Sequence, residues 1–175
     1  MVWVFGYGSL MWDGGWEAGF GCTTREQATL AGFRRDFNKG SVRNWGSNDV
    51  PCPTLGLHPD DDAQCTGLAF EFPDKGRRQL LTWLSDREGR SFSLEPKEVQ
   101  LQSRARVSAL VPINDLSANT YLGDQPIAVR AGLVKTASGT RGSCLDYVIN
   151  VRTELAKLGI VDSAVEQLWA DVSRP

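Results

Sequence analysis

Histidine is almost absent from this chain of 175 residues, because His58 is the only one. A Ser-His-Asp or Cys-His catalytic centre would have to use it, and a histidine-rich metal site cannot be assembled. His58 lies between Leu57 and Pro59, and three aspartates follow at positions 60–62. This context predicts a solvated acidic loop, and a functional His58 or an aspartate-based metal site is the alternative. We expect no metal and no cofactor.

The chain also lacks closely spaced cysteines. Cys22, Cys52, Cys65 and Cys144 are far apart and contain no Cys-x-x-Cys pair. Neither a disulfide framework nor a zinc knuckle is indicated, and we predict reduced, mostly buried thiols.

Long apolar runs are missing as well. No stretch approaches the roughly 18 apolar residues of a membrane span, and residues 1–10 lack the basic leader and apolar region of a secretion signal. We therefore expect a cytoplasmic protein without a membrane partner.

The charge is balanced, with 19 Lys and Arg against 21 Asp and Glu and a net charge of −2. The basic residues are scattered, so the field that a nucleic-acid backbone requires is missing, and we expect no nucleic-acid partner. The length and the 41% hydrophobic content suit one core, which predicts a single domain over residues 1–175.

The order of predicted elements favours an α+β fold. Strands are predicted at 2–5, 28–37 and 67–72, and as a pair within 99–111, while the polar stretch 38–62 is expected to be an irregular functional loop. Helical spacing begins at residue 75 and returns at 127–135, at 143–158 and after Asp162, a predicted N-cap. In the helix over 143–158, Ser143 and Asp146 resemble a capping box, and one face is shared by Leu145, Val148, Ile149, Leu155 and Leu158. Strands precede helices without regular alternation, which argues against a doubly wound sheet.

The run Gly6-Tyr7-Gly8-Ser9-Leu10 directly follows the first predicted strand. Two glycines allow a tight turn and a close ligand approach, so the backbone N–H groups can bind an anion. Position 11 is methionine, so the run is not a dinucleotide fingerprint, and its order is not that of a hydrolase elbow. A simple turn is the alternative.

Glu88 continues the apolar stripe of the helix that begins near residue 75, four residues after Leu84. A carboxylate facing a core has its pKa raised by desolvation, as a proton carrier near neutrality requires. An ion pair with Arg87, or a solvated helix end, is the alternative. In the run that contains Arg34 and Arg35, strand geometry turns the two side chains to opposite faces, so only one can enter a pocket and receive a carboxylate. A structural or solvent-facing role for each arginine is the alternative.

Six segments in order resemble the ChaC-like, glutathione-specific γ-glutamylcyclotransferases. They are Val4-Phe5-Gly6-Tyr7-Gly8-Ser9-Leu10-Met11-Trp12, Gly32-Phe33-Arg34-Arg35, Cys65-Thr66-Gly67-Leu68-Ala69-Phe70, Arg87-Glu88, Tyr121-Leu122-Gly123 and Leu158-Gly159-Ile160-Val161-Asp162. The resemblance covers nearly the whole chain, and the order of the segments makes it specific.

This resemblance implies a small, strongly curved mixed β-barrel flanked by helices, with helices at the C-terminal end. It implies an enzyme that cleaves glutathione to 5-oxoproline and Cys-Gly, with Glu88 as the catalytic residue. It places substrate binding at the loop that comprises Tyr7, Gly8, Ser9 and Leu10, and at Arg35 and Tyr121.

The chain departs from the family pattern at residues 12–16 and 44–53, and at Phe92, where a tyrosine is common. The alternatives are therefore a cyclotransferase for other γ-glutamyl amines or amino acids and, from a different class, a non-catalytic γ-glutamyl-binding module. The carboxylate at Glu88 argues against the module, because a pure binder has no use for a buried proton carrier.

Overall fold

The structure is a computed structural model that describes residues 1–12, 15–89 and 91–174. The chain forms two compact units, one made of residues 1–34 and 59–115 and the other of residues 35–58 and 116–175. The elements in chain order are β1 (Val2–Gly6), a 3-10 turn (Ser9–Met11), α1 (Trp16–Gly19), β2 (Thr24–Ser41), β3 (Cys52–Phe72), α2 (Arg77–Glu88), β4 (Phe92–Leu101), β5 (Arg106–Asn114), α3 (Ile127–Thr136), β6 (Ser138–Gly139), β7 (Gly142–Ser143), α4 (Cys144–Lys157) and α5 (Ser163–Val172). Two of the residues at which the chain departs from the family pattern, Asp13 and Gly14, lie outside the described residues.

Five strands close into a barrel in the order β1-β3-β2-β4-β5. Strand β1 is antiparallel to β3 and parallel to β5, while β4 is antiparallel to both β2 and β5. Strands β2 and β3 continue from one unit into the other. The mixed barrel, followed by helices in the last third of the chain, confirms the predicted α+β class.

The first unit takes its core from buried strand residues and from one stripe of α2. Val4 and Phe5 of β1 are completely buried, as are Ala109 and Val111 of β5. The helix predicted to begin near residue 75 is confirmed as α2, whose residues Leu80 and Leu84 are 1% and 0% exposed. It ends at Gly89, which has a φ of +79°, a conformation that glycine adopts without steric cost.

The second unit contains the three long C-terminal helices. Ser143 and Asp146 form the predicted capping box at the start of α4, and Asp162 accepts hydrogen bonds from the N–H groups of Ala164 and Val165 at the start of α5. The predicted inward face of α4 is partly wrong. Leu145 and Ile149 are 37% and 40% exposed, because the buried stripe is displaced around the helix; its members are Cys144, Tyr147, Val148, Val151 and Leu155.

The irregular loop predicted over residues 38–62 is also wrong, since only 42–51 separate β2 from β3. Strand β2 continues through Ser41, and β3 begins at Cys52 with buried residues that include Leu55 and Leu57. The hydroxyl of Thr54 donates to the carbonyl of Lys39 at 3.0 Å, which ties the two extended segments together. His58 consequently lies half-buried within β3 and not in an exposed loop, although Asp61 and Asp62 are exposed as expected.

The prediction of four reduced thiols is wrong for two of them. Cys52 at the start of β3 and Cys144 at the start of α4 form a disulfide within the second unit, across a sequence separation of 92. Cys22 and Cys65 remain thiols outside the disulfide, and Cys65 is buried. Spacing along the chain does not reveal a pair that tertiary folding brings together.

No helix of the described residues is long and apolar enough to cross a membrane. The described ranges also contain no group of three or more His, Cys, Asp and Glu residues that could hold a metal ion.

Candidate active site

The glycine loop leaves the end of β1 and is anchored on both sides of Ser9. The hydroxyl of Tyr7 donates to the carbonyl of Pro112 at 2.8 Å, and Tyr7 is 4% exposed. Leu10 is 5% exposed, whereas Gly8 and Ser9 are only half-buried. The N–H of Met11 donates to the carbonyl of Gly8 at 2.9 Å and closes the turn. The loop therefore presents Gly8 and Ser9 on a buried support.

Glycines are required beneath this loop because the backbones approach closely. A Cβ atom at Gly67 would lie 2.3 Å from the carbonyl oxygen of Gly6, and one at Gly6 would lie 2.9 Å from the Cβ of Leu10. Strands β1 and β3 are paired at this point, with Gly6 opposite Leu68. A side chain at Gly67 would push the end of β1, and the loop that follows it, out of place.

Glu88 is the last residue of α2, one turn after the buried Leu84, and its side chain is 16% exposed. The spacing of the helix thus turns the carboxylate inward, as the sequence predicts. The alternative interaction is present as well, because the Nε atom of Arg87 lies 3.7 Å from Oε1 of Glu88.

Arg87 connects Glu88 to the glycine loop. A terminal guanidinium nitrogen of Arg87 donates to Oγ of Ser9 at 2.9 Å, and the Arg87 side chain is 9% exposed. Its guanidinium carbon lies 5.6 Å from the centre of the Trp83 ring, within the range of a cation–π contact. Sequence reasoning treated Arg87 only as an ion-pair partner and missed this link, for which the chain offers no signal beyond adjacency to Glu88.

An aromatic cluster supports the loop and the arginine together. Trp83 stacks on Trp16, with ring centres 5.1 Å apart and planes inclined by 14°. Trp16 also packs against Phe70 of β3, and its indole N–H donates to the carbonyl of Leu10 at 3.0 Å. The same rings therefore contact the loop at Leu10 and the guanidinium of Arg87.

Arg35 belongs to the second unit and is 1% exposed. Its terminal nitrogen lies 3.0 Å from Oδ2 of Asp162, the residue that caps α5. Within the first unit, Arg34 lies 3.4 Å from Asp60 and is partly exposed, so the neighbouring arginines have different surroundings. A substrate contact by Arg35 stays a prediction, and its ion pair with Asp162 is consistent with a structural role.

Tyr121 also lies in the second unit, where it forms an antiparallel bridge with Lys39. Its ring lies so close to Gly123 that any side chain at that position would overlap it. This contact explains why the run Tyr121-Leu122-Gly123 ends in glycine. A role for Tyr121 in substrate binding stays a prediction.

Of the predicted site residues, the structure brings Ser9 and Glu88 together through Arg87, within the first unit. Gly8 adjoins Ser9, and Tyr7 and Leu10 anchor the loop from below. The mostly buried carboxylate of Glu88 can carry a proton. The Ser9 hydroxyl, which Arg87 holds in place, and the backbone N–H groups of the loop can stabilise a negative charge. The barrel and this constellation define a class of proteins equipped for acid–base chemistry on a substrate that is, or becomes, anionic.

Comparison with known proteins identifies the family within this class. A family model described as ChaC-like protein matches residues 2–175. The chain belongs to the ChaC-like family, which confirms the resemblance found in the sequence.

Two curated relatives and a solved structure are similar over most of the chain. γ-Glutamylcyclotransferase 2-3 of Arabidopsis thaliana is 31% identical, over 95% of this chain and 86% of the relative. The glutathione-specific γ-glutamylcyclotransferase of Escherichia coli strain K12 is 33% identical, over 99% of this chain and 73% of the relative. The crystal structure of a glutathione-specific γ-glutamyl cyclotransferase from yeast has a TM-score of 0.88 at 20% identity, over 98% of this chain and 95% of that one, which shows a shared fold.

Proposed function

We propose that this chain is a γ-glutamylcyclotransferase that cleaves glutathione into 5-oxoproline and Cys-Gly, with Glu88 as its acid and base. The observation that carries the proposal is the contact of Arg87 with both Ser9 and Glu88 in a member of the ChaC-like family. This contact unites a proton carrier with a loop suited to anions. The names of the similar relatives support glutathione as the substrate.

The reaction is an intramolecular aminolysis. The α-amino nitrogen of the γ-glutamyl group attacks its own γ-carbonyl carbon, a five-membered lactam closes, and the bond to the cysteine nitrogen breaks. The Cys-Gly amine leaves, and no water or protein nucleophile is consumed. The enzyme has to fold the substrate onto itself, move a proton and stabilise an oxyanion, which suits a chain with a single histidine.

Glu88 would perform both proton transfers. Its carboxylate removes a proton from the substrate's ammonium group, which frees the nucleophile, and then delivers a proton to the departing nitrogen. Its low exposure, 16%, supports this role because a general base has to lie within hydrogen-bond reach of a bound substrate, and a largely enclosed side chain has few positions to occupy.

The glycine loop would hold the negative charge. The N–H groups of Ser9 and Leu10 precede the first hydrogen bond of the turn and thus have no acceptor within it. Together with the N–H of Gly8 and the Ser9 hydroxyl, they would bind the substrate α-carboxylate or the developing oxyanion. We propose that Tyr7 and Leu10 contribute by fixing the loop, and that Arg35 and Tyr121 are further substrate contacts on the strength of the resemblance.

We further propose that residues 1–175 act as one catalytic domain in the cytoplasm. The family match over residues 2–175 supports a single functional domain. A disulfide such as Cys52–Cys144 is uncommon in a reducing compartment. Rapid alkylation of thiols in intact cells, followed by mass spectrometry, would show whether this pair is reduced or bridged in the cell. A reduced pair is the result that a cytoplasmic location favours.

The direct test incubates the purified protein with glutathione and measures 5-oxoproline and Cys-Gly by mass spectrometry. Glu88→Gln should retain the fold and lose turnover, whereas Asp86→Asn, an exposed control two residues earlier on α2, should retain it. Turnover of other γ-glutamyl amines but not glutathione would favour the broader cyclotransferase. Binding without any turnover would indicate the non-catalytic module.

A further inference from the structure

We propose that Arg87 is a positioning residue that holds the hydroxyl of Ser9 and the carboxylate of Glu88 in the arrangement needed for turnover. This inference rests on the proposed function and assigns a role to a residue that takes no part in the proton transfers or in the anion binding described above. Its basis is one guanidinium group with a partner on each of two functional elements, the glycine loop and the end of α2.

The distances assign a different nitrogen of Arg87 to each partner. A terminal nitrogen donates to Ser9 Oγ at 2.9 Å, and Nε lies 3.7 Å from Glu88 Oε1. The Arg87 and Glu88 side chains are 9% and 16% exposed, so solvent screens the pair weakly. The planar guanidinium has its donors in a fixed geometry, so it fixes the position of the Ser9 hydroxyl relative to the Glu88 carboxylate.

The hydrogen bond to Ser9 has a chemical consequence. A hydroxyl has one proton to donate, and an oxygen that accepts from arginine keeps that proton for a different acceptor. The positive charge of Arg87 also polarises the hydroxyl, which makes it a better donor to a developing oxyanion. Arg87 would therefore act through Ser9 on the oxyanion and through Glu88 on the proton.

The surroundings of Arg87 hold it in place. Its guanidinium lies against Trp83, Trp83 stacks on Trp16, and Trp16 donates to the carbonyl of Leu10, next to Ser9. The contacts form a closed path from the loop through two tryptophans to the arginine and back to the loop. Such a path restricts the motion of both functional groups, which is what a preorganised site requires.

A purely structural role for Arg87 is the competing explanation, since a basic residue in the last turn stabilises a helix by its charge. The two explanations differ in kinetics. If Arg87 acts through Ser9, the variants Arg87→Met and Ser9→Ala remove the same catalytic contribution, and their effects on kcat do not multiply. If Arg87 only stabilises the helix, its loss lowers the melting temperature and leaves the kcat of the folded protein unchanged.

The experiment measures 5-oxoproline formation by wild type, Arg87→Met, Arg87→Lys, Ser9→Ala and the double variant, with Arg78→Met as an exposed control of equal charge change on α2. Melting temperatures establish that each variant is folded at the assay temperature. We expect kcat to fall about 10- to 100-fold in Arg87→Met and in Ser9→Ala, with KM changing less. The double variant should be within about threefold of the slower single variant, Arg78→Met within about twofold of wild type, and Arg87→Lys partly active.

Added ethylguanidinium should raise the kcat of a further variant, Arg87→Ala, several-fold and leave that of Ser9→Ala unchanged, because only the truncated arginine position has both lost that group and gained the space to bind it. Effects that multiply in the double variant, together with no response to ethylguanidinium, would overturn the role of Arg87 while wild-type turnover keeps the proposed function intact. Failure of the wild type to form 5-oxoproline from any γ-glutamyl compound would overturn the proposed function itself, and this inference with it.

Discussion

Reduction of the Cys52–Cys144 disulfide should destabilise the protein substantially without removing the groups proposed for catalysis. The bond closes a loop across a sequence separation of 92, and loop-closure entropy for a loop of this size corresponds to an upper value of about 4–5 kcal/mol at 25 °C. Disulfides of natural proteins typically contribute about 2–4 kcal/mol, against a total stability of about 5–15 kcal/mol. Reduction thus removes a large fraction of the stability.

The corresponding change in melting temperature is measurable. For a chain of this length each kcal/mol corresponds to about 2–4 °C, so a loss of about 2–4 kcal/mol lowers the melting temperature by about 4–16 °C. Circular dichroism with and without a phosphine reductant gives this shift directly. The double variant Cys52→Ala/Cys144→Ala should reproduce it and should no longer respond to the reductant.

Thiol counting provides the control for the redox state. Both bridged cysteines are completely buried, and burial raises the pKa of the Cys22 thiol, which slows its reaction at neutral pH. The count is therefore made in denaturant, where two thiols are expected without reductant and four with it. Four thiols in protein purified without reductant, or a melting temperature insensitive to reduction, would refute the reasoning.

Three further predictions concern individual residues. Glu88→Gln should lower kcat on the order of 100-fold or more with nearly unchanged substrate binding, because the amide keeps the shape of the side chain and cannot carry the proton; turnover within a few-fold of wild type would exclude Glu88. Gly67→Ala should raise KM and lower the melting temperature, because the added Cβ would overlap the carbonyl oxygen of Gly6. Gly132→Ala is the matched control, since a Cβ there meets nothing within 4 Å, and it should change neither KM nor thermal stability for the worse. Asp162→Asn should cost up to about 3–5 kcal/mol of unfolding free energy, because it removes the carboxylate that lies 3.0 Å from the buried guanidinium of Arg35. Urea denaturation measures this loss, and a value below about 1 kcal/mol would show that the ion pair contributes little.

The resemblance segments could be identified from the sequence, but the contacts between them could not. In the structure five of the six segments contact another segment: Gly67 lies against Gly6, Arg87 contacts Ser9, and Arg35 contacts Asp162. Each pair joins positions far apart in the chain, which local spacing does not encode. The contacts in the structure therefore give a physical reason why the residues of these segments occur together in one chain.

Local signals predicted the helices better than the strands. The capping box at Ser143 and the N-cap at Asp162 depend on side chains within three residues, so they could be located from the sequence. The 21 residues of β3 contain Pro53 and Pro59 and three consecutive aspartates, all typical of loops, yet tertiary pairing keeps the segment extended. The disulfide could not be predicted for the same reason, because only the tertiary fold brings residues 52 and 144 together.

The inward position of Glu88 could be predicted because a helix repeats every 3.6 residues and Leu84 precedes it by four. The contact of Arg87 with Ser9 could not, since it depends on where α2 ends relative to β1 within the first unit. The aromatic cluster around Trp83 escaped prediction for the same reason. Sequence patterns thus identified the acid–base group, and the structure was needed to find the residue that connects it to the loop.

The central claim is that the substrate's own amine, and not water, cleaves the γ-glutamyl bond. The most direct test runs the reaction with glutathione in oxygen-18 water and identifies the first product by mass spectrometry. Cyclisation predicts 5-oxoproline that carries no oxygen from solvent, no reaction with N-acetylated glutathione, and no reaction with the β-aspartyl analogue, which would have to close a strained four-membered ring. Glutamate labelled with one solvent oxygen as the primary product would contradict the account, even if Glu88 proved essential.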